Sequence, residues 1–338
     1  MNNSQDLDLS IIVPVYNVEK YIRTCIESIF RQDLDEDTFE VIIVNDGTKD
    51  RSMEMIADII SQHDNIIVIN QENQGLSVAR NNGMAQAKGE YILMPDSDDL
   101  LPDNSIKPIL EYALKVKPEM IVSDYLELSD NEISQLANHP ILQPREFIVE
   151  EIKGEEMLTV GDCRFYWRIL YRRDFLQSNN ISFYPGIFAQ DIPFTTECFM
   201  KVKVFKRTSW ILYLYRHGHD SASIKYNQKR AHDTSIAIAK AWELTKLGEI
   251  APRIKWKHRE LMFNLFYGHL CAINWGHIKN KSEKIETINF FRQRTPANMR
   301  FYHSFRQIVW TLLFHYFPPT IIIWLLQQNR NYSDEYKE

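Results

Sequence analysis

The sequence predicts an α/β fold: a mostly parallel central sheet with flanking helices, plus a C-terminal helical region. Three observations carry this expectation. Short apolar runs rich in β-branched residues alternate with segments of helical period through residue 125. The connections between them are short, as in sheets whose crossovers are helices. Residues 226–326 keep helical spacing with no convincing strand.

Leu9 to Val15 is a β-branched run bounded by Pro14 and the turn residues Tyr16-Asn17, which predicts a buried strand. Glu19 to Phe30 places Tyr21, Ile22, Cys25, Ile26, Ile29 and Phe30 at helical spacing. Glu40 to Val44 is a second strand, ending at Asn45-Asp46-Gly47-Thr48, and Met53 to Ile60 a second helix. Ile66 to Asn70 is the third strand. Leu76 to Ala87 is the third helix, with Lys88-Gly89 expected as its C-cap. Tyr91 to Met94, a helix over Pro108 to Val116, and a strand over Met120 to Tyr125 complete the alternation. Residues 129–160 are polar, with Pro140 and Pro144 and no period, and read as an irregular connection. Residues 164–175 are aromatic and basic, and 184–199 combine loop signals with a helix start. The expected division is a first domain over 1–225 and a helical region over 226–338.

The length of 338 residues is ample for a large core. Charge is unevenly spread. Residues 226–338 carry 17 basic and 9 acidic side chains, against 22 and 36 in residues 1–225. Such a split suggests two regions with different partners. Four cysteines (Cys25, Cys163, Cys198, Cys271) stand far apart without a CxxC pair. This spacing argues against a zinc site and for a reducing, cytoplasmic compartment. No basic region and no apolar stretch precedes Leu9, so no secretion signal is expected.

Residues 91–99, Tyr-Ile-Leu-Met-Pro-Asp-Ser-Asp-Asp, are the most informative stretch. A buried strand runs into three carboxylates, Asp96, Asp98 and Asp99. Crowded carboxylates repel and are relieved by a cation. An oxygen-rich cluster on a loop suits Mg²⁺ or Mn²⁺ held by one or two carboxylates plus substrate phosphates. A helix N-cap ahead of Leu100-Leu101 is the alternative reading, and one Asp can cap while others bind metal. In parallel α/β sheets ligands bind at the carboxyl ends of strands. Tyr16-Asn17, Asp46-Gly47 and Asp96 to Asp99 all lie at such ends. No GxGxxG or GxxxxGK[ST] occupies the strand–helix turns, which disfavours a dinucleotide dehydrogenase or a P-loop NTPase.

These residues resemble the family 2 glycosyltransferases of the GT-A fold over roughly residues 8–225. "SIIVPVYNVEKYIRTCIESIFRQ" is similar to the family's first strand and helix, "FEVIIVNDGTKDRS" to its nucleotide loop, and "NQGLSVARNNGMAQAKGEYILMPDSDD" to the run into its metal motif. The resemblance implies a nucleotide-diphosphate sugar donor, UDP-sugar favoured, a divalent Mn²⁺ or Mg²⁺, and transfer with inversion. By residue, it implies that Pro14, Tyr16 and Asn17 border the base and that Asp46 hydrogen-bonds it. Gln74, Gly75 and Arg80 would lie along the nucleotide. Asp96 and Ser97 would contact the donor, Asp98 and Asp96 the metal, and Asp99 the metal or the sugar. An Asx-turn at Asp46-Gly47 and a surface salt bridge at Arg80 are the structural alternatives.

The family's acidic pair before an apolar helix matches "GIFAQDIPFTTECF", so the pair here is Gln190-Asp191. Asp191 is the expected catalytic base, since a carboxylate must take the acceptor hydroxyl's proton. It also suits a helix start, because Pro193 lies just inside. Gln190 replaces the usual acid and is expected to tune acceptor recognition or Asp191. "YLYRHGHDSAS" follows a predicted edge strand and resembles the segment that closes the donor site. His217 or His219 could ligate metal or touch the pyrophosphate, and Ser221 and Ser223 could bind phosphate oxygens.

Ile308 to Leu326 is a 19-residue stretch without a full charge, interrupted by Pro318-Pro319. It nearly reaches a membrane span, but the prolines argue against a straight crossing helix. Two short helices in the membrane interface fit it, with Trp310 and Trp324 as interfacial aromatics, helped by Arg253, Lys255, Lys257 and Arg259. Packing on protein is the alternative. The function expected is an inverting sugar transferase of cell-surface polysaccharide synthesis (capsule or lipopolysaccharide), acting on a saccharide or lipid-linked acceptor, without nucleic acid. The rivals are a nucleotidyltransferase on a similar fold and a catalytically impaired sugar-nucleotide-binding protein.

Overall fold

The computed structural model describes residues 7–136, 141–151, 165–218, 227–245, 252–275, 278, 280–295, 299, 301 and 304–328, with the backbone alone for 252–258 and 275. Its eight-stranded sheet begins with the predicted alternation. Strand β1 (Leu9–Val15) leads to α1 (Ile22–Ile29), then β2 (Phe39–Asn45), α2 (Ala57–Gln62) and β3 (Ile66–Asn70). A single 3₁₀ turn, Glu54–Ile56, opens the second helical segment. Next come α3 (Leu76–Gln86), β4 (Tyr91–Leu93), α4 (Ile106–Val116) and β5 (Met120–Ser129). β1 and β2 are buried along nearly their whole length, as near-continuous Val/Ile runs in a parallel sheet should be.

Beyond β5 the structure contains more order than the polar sequence suggests. A short helix α5 (Asp130–Ser134) starts with a capping box in which Ser129 and Glu132 satisfy each other's backbone N–H. β6 (Val149–Glu151) and β7 (Ile169–Arg172) follow, then α6 (Arg173–Ser178), α7 (Asp191–Lys201) and β8 (Phe205–His217). The strand order is β3-β2-β1-β4-β7-β5-β8-β6. β7 lies antiparallel between β4 and β5, so the basic and aromatic stretch supplies an interior strand. β8, expected at an edge, runs parallel to β5 and is covered on its other side by β6. The sheet is therefore mixed, with its parallel pairs at β1–β2, β2–β3, β1–β4 and β5–β8.

Lys88-Gly89 is expected as the C-cap of α3, but the cap position is Ala87. A Cβ on Gly89 would lie 2.4 Å from the backbone of Leu9 and Ser10, so close chain approach requires the glycine. The approach is closed by a buried polar clamp. Ser10 Oγ donates to Glu40 (2.6 Å), Lys88 N–H donates to the same carboxylate (2.6 Å), and Gly89 N–H donates to Ser10 Oγ (2.8 Å).

The described residues of the later chain form helices and no strand: α8 (Gln228–Leu244), α9 (Pro252–Trp275), α10 (Lys281–Arg294), α11 (Phe305–Tyr316) and α12 (Pro319–Gln328). Contacts separate two compact units. The first holds the sheet with α1 to α6; the second holds Ile187–Met200 and the helices from α8 onward. The second unit's core joins Ile192 to Ile238, Phe266, Phe291, Phe301 and Phe314. Trp310, expected at a lipid interface, is buried in this core against Tyr267 at a ring separation of 4.9 Å. The break between α11 and α12 falls at the predicted proline pair, because a proline ring and its missing N–H cannot continue the first helix. No described helix is long and apolar enough to cross a membrane.

Candidate active site

The carboxyl ends of β1 and β2 are tied together by a carboxylate that sequence reasoning passed over. Asp50 accepts from Thr48 Oγ1 (2.7 Å), Ser52 Oγ (2.5 Å), Ser52 N–H (3.1 Å) and Glu19 N–H (2.9 Å). Burial opposes its ionisation, but these donors outweigh burial and hold its carboxyl below the ordinary range. Thr48 and Ser52 in turn accept from the backbone N–H groups of Asn17 and Val18. Asn17 takes the left-handed conformation, φ 55°, that Asn tolerates and most residues avoid. Of the predicted base-bordering residues, Pro14 is buried in register with Val44, while Tyr16 stands exposed at the strand end.

Asp46 is buried at the end of β2. Its carboxylate accepts from Gln71 Nε2 (2.8 Å), Gln74 N–H (2.8 Å) and Gly75 N–H (2.9 Å). Three of the roughly four acceptor positions of an ionised carboxylate are thus filled by protein donors. These bonds make Asp46 the residue that fixes the loop leading into α3. Gly75 adopts φ 88° at the start of α3, a conformation open to glycine, and so turns its N–H onto Asp46.

Arg80, expected along the nucleotide or in a surface pair, is only 1% exposed. Its guanidinium donates to Asp96 and Tyr166 and lies 4.2 Å from the Tyr166 ring centroid and 5.1 Å from that of Phe183. Tyr166 OH also donates to Asp96. Both groups use the same oxygen, Oδ1, and Oδ2 carries no hydrogen bond from the described residues. Arg80 therefore neutralises the acidic loop from inside.

Strand β8 holds that loop from the other side. Asp96 N–H donates to Tyr213 OH (2.9 Å), which donates to Asp99 (2.7 Å); Asp99 also accepts from Arg216 N–H (2.7 Å). The Arg216 side chain donates to the Asp98 carbonyl (2.8 Å) and to the Asp130 carboxylate, and lies 4.8 Å from the Tyr21 ring centroid. Leu100 and Leu214 bridge backbone to backbone. Asp99 thus takes a protein donor at each carboxylate oxygen. Ser97 is buried and Asp98 half-buried.

Charge crowding persists despite these partners. Burial and then Asp98 raise the Asp96 carboxyl above its ordinary range, against the pull of Arg80. Burial, Asp98 and Asp96 raise Asp99 well above it. Such excess negative charge is what a bound cation relieves. Among the described residues no group of three His, Cys, Asp or Glu side chains encloses an ion site. A cation that takes one or two carboxylates and completes its shell with water and phosphate still fits Asp98 and the Oδ2 of Asp96. His217 is exposed at the end of β8, and His219, Ser221 and Ser223 lie outside the described residues.

Gln190 and Asp191 belong to the second unit. Asp191 is the first residue of α7, and its carbonyl accepts from Thr195 Oγ1 (2.7 Å). Gln190 is buried, and its carbonyl accepts from Phe194 N–H. The approach to the helix is held by α8. Phe188 N–H donates to the buried Asp233 (3.2 Å), and the cations of Lys229 and Arg230 each lie 5.8 Å from the Phe188 ring centroid.

Similarity to known proteins follows the same geometry. The family model described as Glycosyl transferase family 2 matches residues 10–175, from β1 through the acidic loop into α6. The chain is 35% identical over 217 residues to the uncharacterized glycosyltransferase EpsJ of Bacillus subtilis (strain 168), covering 63% of this chain and 62% of that protein. The chain thus spans less than two thirds of that relative. Among solved structures, S. aureus TarS 1-349 in complex with UDP superposes with a TM-score of 0.69 at 20% identity, over 98% of this chain and 91% of that one. The mannosyltransferase PcManGT from Pyrobaculum calidifontis, in complex with GDP-Man and Mn²⁺, gives 0.55 at 15% identity, over 97% and 89%. The two structures share the GT-A fold, and with the strand-end loops and acidic cluster inside the matched segment, the chain belongs to glycosyl transferase family 2.

Proposed function

We propose that the chain is an inverting glycosyltransferase that moves a hexosyl or N-acetylhexosaminyl group from a UDP-sugar to a saccharide or lipid-linked saccharide in cell-surface polysaccharide synthesis. The observation that carries this is the acidic loop at the end of β4, still short of positive charge after Arg80 and Arg216 are counted. The UDP complex of the TarS neighbour supports the choice of donor. The reaction belongs in the cytoplasm, with a lipid-linked acceptor presented at the inner face of the membrane.

Asp98 and the Oδ2 of Asp96 would hold a divalent cation, Mn²⁺ or Mg²⁺, whose chemistry when bound is to neutralise charge on the leaving diphosphate. Arg80, Tyr166, Tyr213 and Arg216 position those carboxylates. Asp46 and Asp50 shape the loops that receive the nucleotide, and Tyr16 offers an exposed ring there. Asp191 is assigned the proton of the acceptor hydroxyl, with its backbone fixed by the start of α7. Gln190 adjusts its surroundings without a second charge.

The test is thermal unfolding with UDP-, GDP- and dTDP-sugars, each with and without Mn²⁺. A ligand at one hundred times its Kd adds about 2.7 kcal/mol of stability, so the true donor stands out. Asp98→Asn is expected to remove the Mn²⁺-dependent part of the shift and to abolish transfer, because an amide is a poor ligand for a hard cation. If no nucleotide sugar raises the midpoint in the presence of Mn²⁺, the proposal fails. Binding and donor hydrolysis without transfer to any saccharide would favour the impaired reading that Gln190 suggests.

A further inference from the structure

The last two helices bury one apolar face and leave a second one in solvent. On α11 the inward residues are Trp310, Thr311 and Phe314; on α12 they are Ile322, Ile323 and Leu326. The outward residues are Phe305 (83% exposed), Leu312, Tyr316 (69%), Phe317, Ile321 and Trp324 (57%). Phe305, Leu312 and Tyr316 are separated by seven and four residues, a single stripe along the helix. Ile321 and Trp324 are three apart and continue the pattern on α12. Isolated exposed apolar residues need no explanation, but five large ones on two consecutive short helices, with Phe317 between them, mark an interaction face.

Charge identifies the occupant. From Thr287 to Ser333 the sequence contains five arginines and no lysine, aspartate or glutamate. Arg306 lies exposed beside Phe305, its guanidinium 4.5 Å from the Tyr267 ring centroid, and Arg294 is exposed on α10. Arg292 is used differently. It donates to the carbonyls of Phe314 (2.7 Å) and Phe317 (2.8 Å) and so closes the end of α11. Aromatic rings with polar edges, aliphatic side chains between them and arginines without carboxylates suit a surface that is apolar in depth and anionic at its rim.

We infer that the outer face of α11 and α12 docks on the interface of an anionic phospholipid membrane, with Phe305, Tyr316 and Trp324 inserted among the headgroups. The inference rests on the lipid-linked-acceptor reading for its purpose and on the exposed stripe for its chemistry. The helices lie along the surface, since neither is long enough to cross it.

The test is co-sedimentation of the full chain with two kinds of vesicle, pure phosphatidylcholine and an equimolar mixture of phosphatidylglycerol and phosphatidylcholine. Binding is expected to the mixture, to weaken as NaCl is raised, and to fall at least about tenfold in Phe305→Ser/Tyr316→Ser/Trp324→Ser. All three positions face solvent, so circular dichroism of the triple variant should match wild type. The inference is overturned if the mixture is not bound, or if the triple variant binds it as wild type does. A wild-type dimer in gel filtration that the triple variant abolishes, without vesicle binding, would assign the face to a second copy. Donor-induced thermal shifts of the triple variant should be unchanged. Vesicle binding with no donor binding would reject the sugar-transfer reading and leave this one standing.

Discussion

In the α/β unit one of the largest fully buried side chains is Arg80, set among Asp96, Tyr166 and Phe183. In the helical unit the comparable places are taken by Phe266, Phe291, Phe301 and Phe314, with rings packed 4.9–5.6 Å apart. The first interior depends on every partner being present, because a buried charge left alone is costly. The second depends on filled volume. A unit built the first way can fix where carboxylates point. One built the second way supplies a stiff support for a helix start such as that of Asp191.

The largest effect separates the roles of the two units. Asp191→Asn keeps the shape of the helix start and removes a proton acceptor. Transfer is expected to fall by about 10²–10⁴-fold, the usual contribution of a general base. Donor affinity, measured by titration in parallel, should hold, since the donor contacts are assigned to the other unit. Loss of donor affinity in this variant would erase the proposed division.

Stability is expected to distinguish the two interiors. Arg80→Leu strands the Asp96 carboxylate and should cost about 3–5 kcal/mol. Phe314→Ala opens a cavity and should also cost about 3–5 kcal/mol. The contrast lies in repair. Adding Asp96→Asn to Arg80→Leu should recover part of the loss, because the stranded group is then neutral. Urea unfolding of the single and double variants measures this. An Arg80→Leu variant within about 1 kcal/mol of wild type would mean that Asp96 does not depend on it.

Acid should act with opposite sign on His269 and on the pair Asp96 and Asp99. Burial, then the neighbouring His232, lowers His269 in the helical core to about 3, and its Nε2 lies 2.8 Å from Ser235 Oγ. An unfolded histidine titrates near 6.5, so between about pH 6.5 and 3 the unfolded chain holds the extra proton. The stability gained from neutral His269 is complete above that window and is lost as pH falls through it, by at most about 1.4 kcal/mol per pH unit. The raised carboxyls of Asp96 and Asp99 work in reverse, since the folded chain takes up those protons first. His269→Gln should flatten the acid limb of a midpoint-versus-pH curve. An unchanged limb would show that other groups set it.

Much of the α/β unit was legible from local pattern. β1 to β4 and their helices follow β-branched runs and 3.6-residue spacing, and the acidic loop announces itself by three carboxylates in four positions. Less legible were β6 and β7, which are short, polar or aromatic, and defined by their neighbours. The partners of the candidate site were hidden for a similar reason. Asp46 meets Gln74 and Gly75 across 28 and 29 residues, Asp96 meets Tyr166 across 70, and Asp99 meets Arg216 across 117. Asp50 had a visible signal, a carboxylate two residues from Thr48 and Ser52, whose hydroxyls can donate locally.

By itself the sequence determined the alternation of strands and helices, the place of the acidic loop at a strand end, the helical character of the later chain and its break at Pro318-Pro319. Those properties depend on residues a few positions apart, where periodicity, proline and charge crowding act directly. Tertiary structure alone decided which protein donors each carboxylate of the acidic loop meets. It also decided that Arg80 is buried, and that Trp310 packs inward while Trp324 faces solvent. A side chain's composition does not state its direction or its distant partner. Both follow from the order in which strands pair and the face each helix presents, and these exist only once the chain has closed on itself.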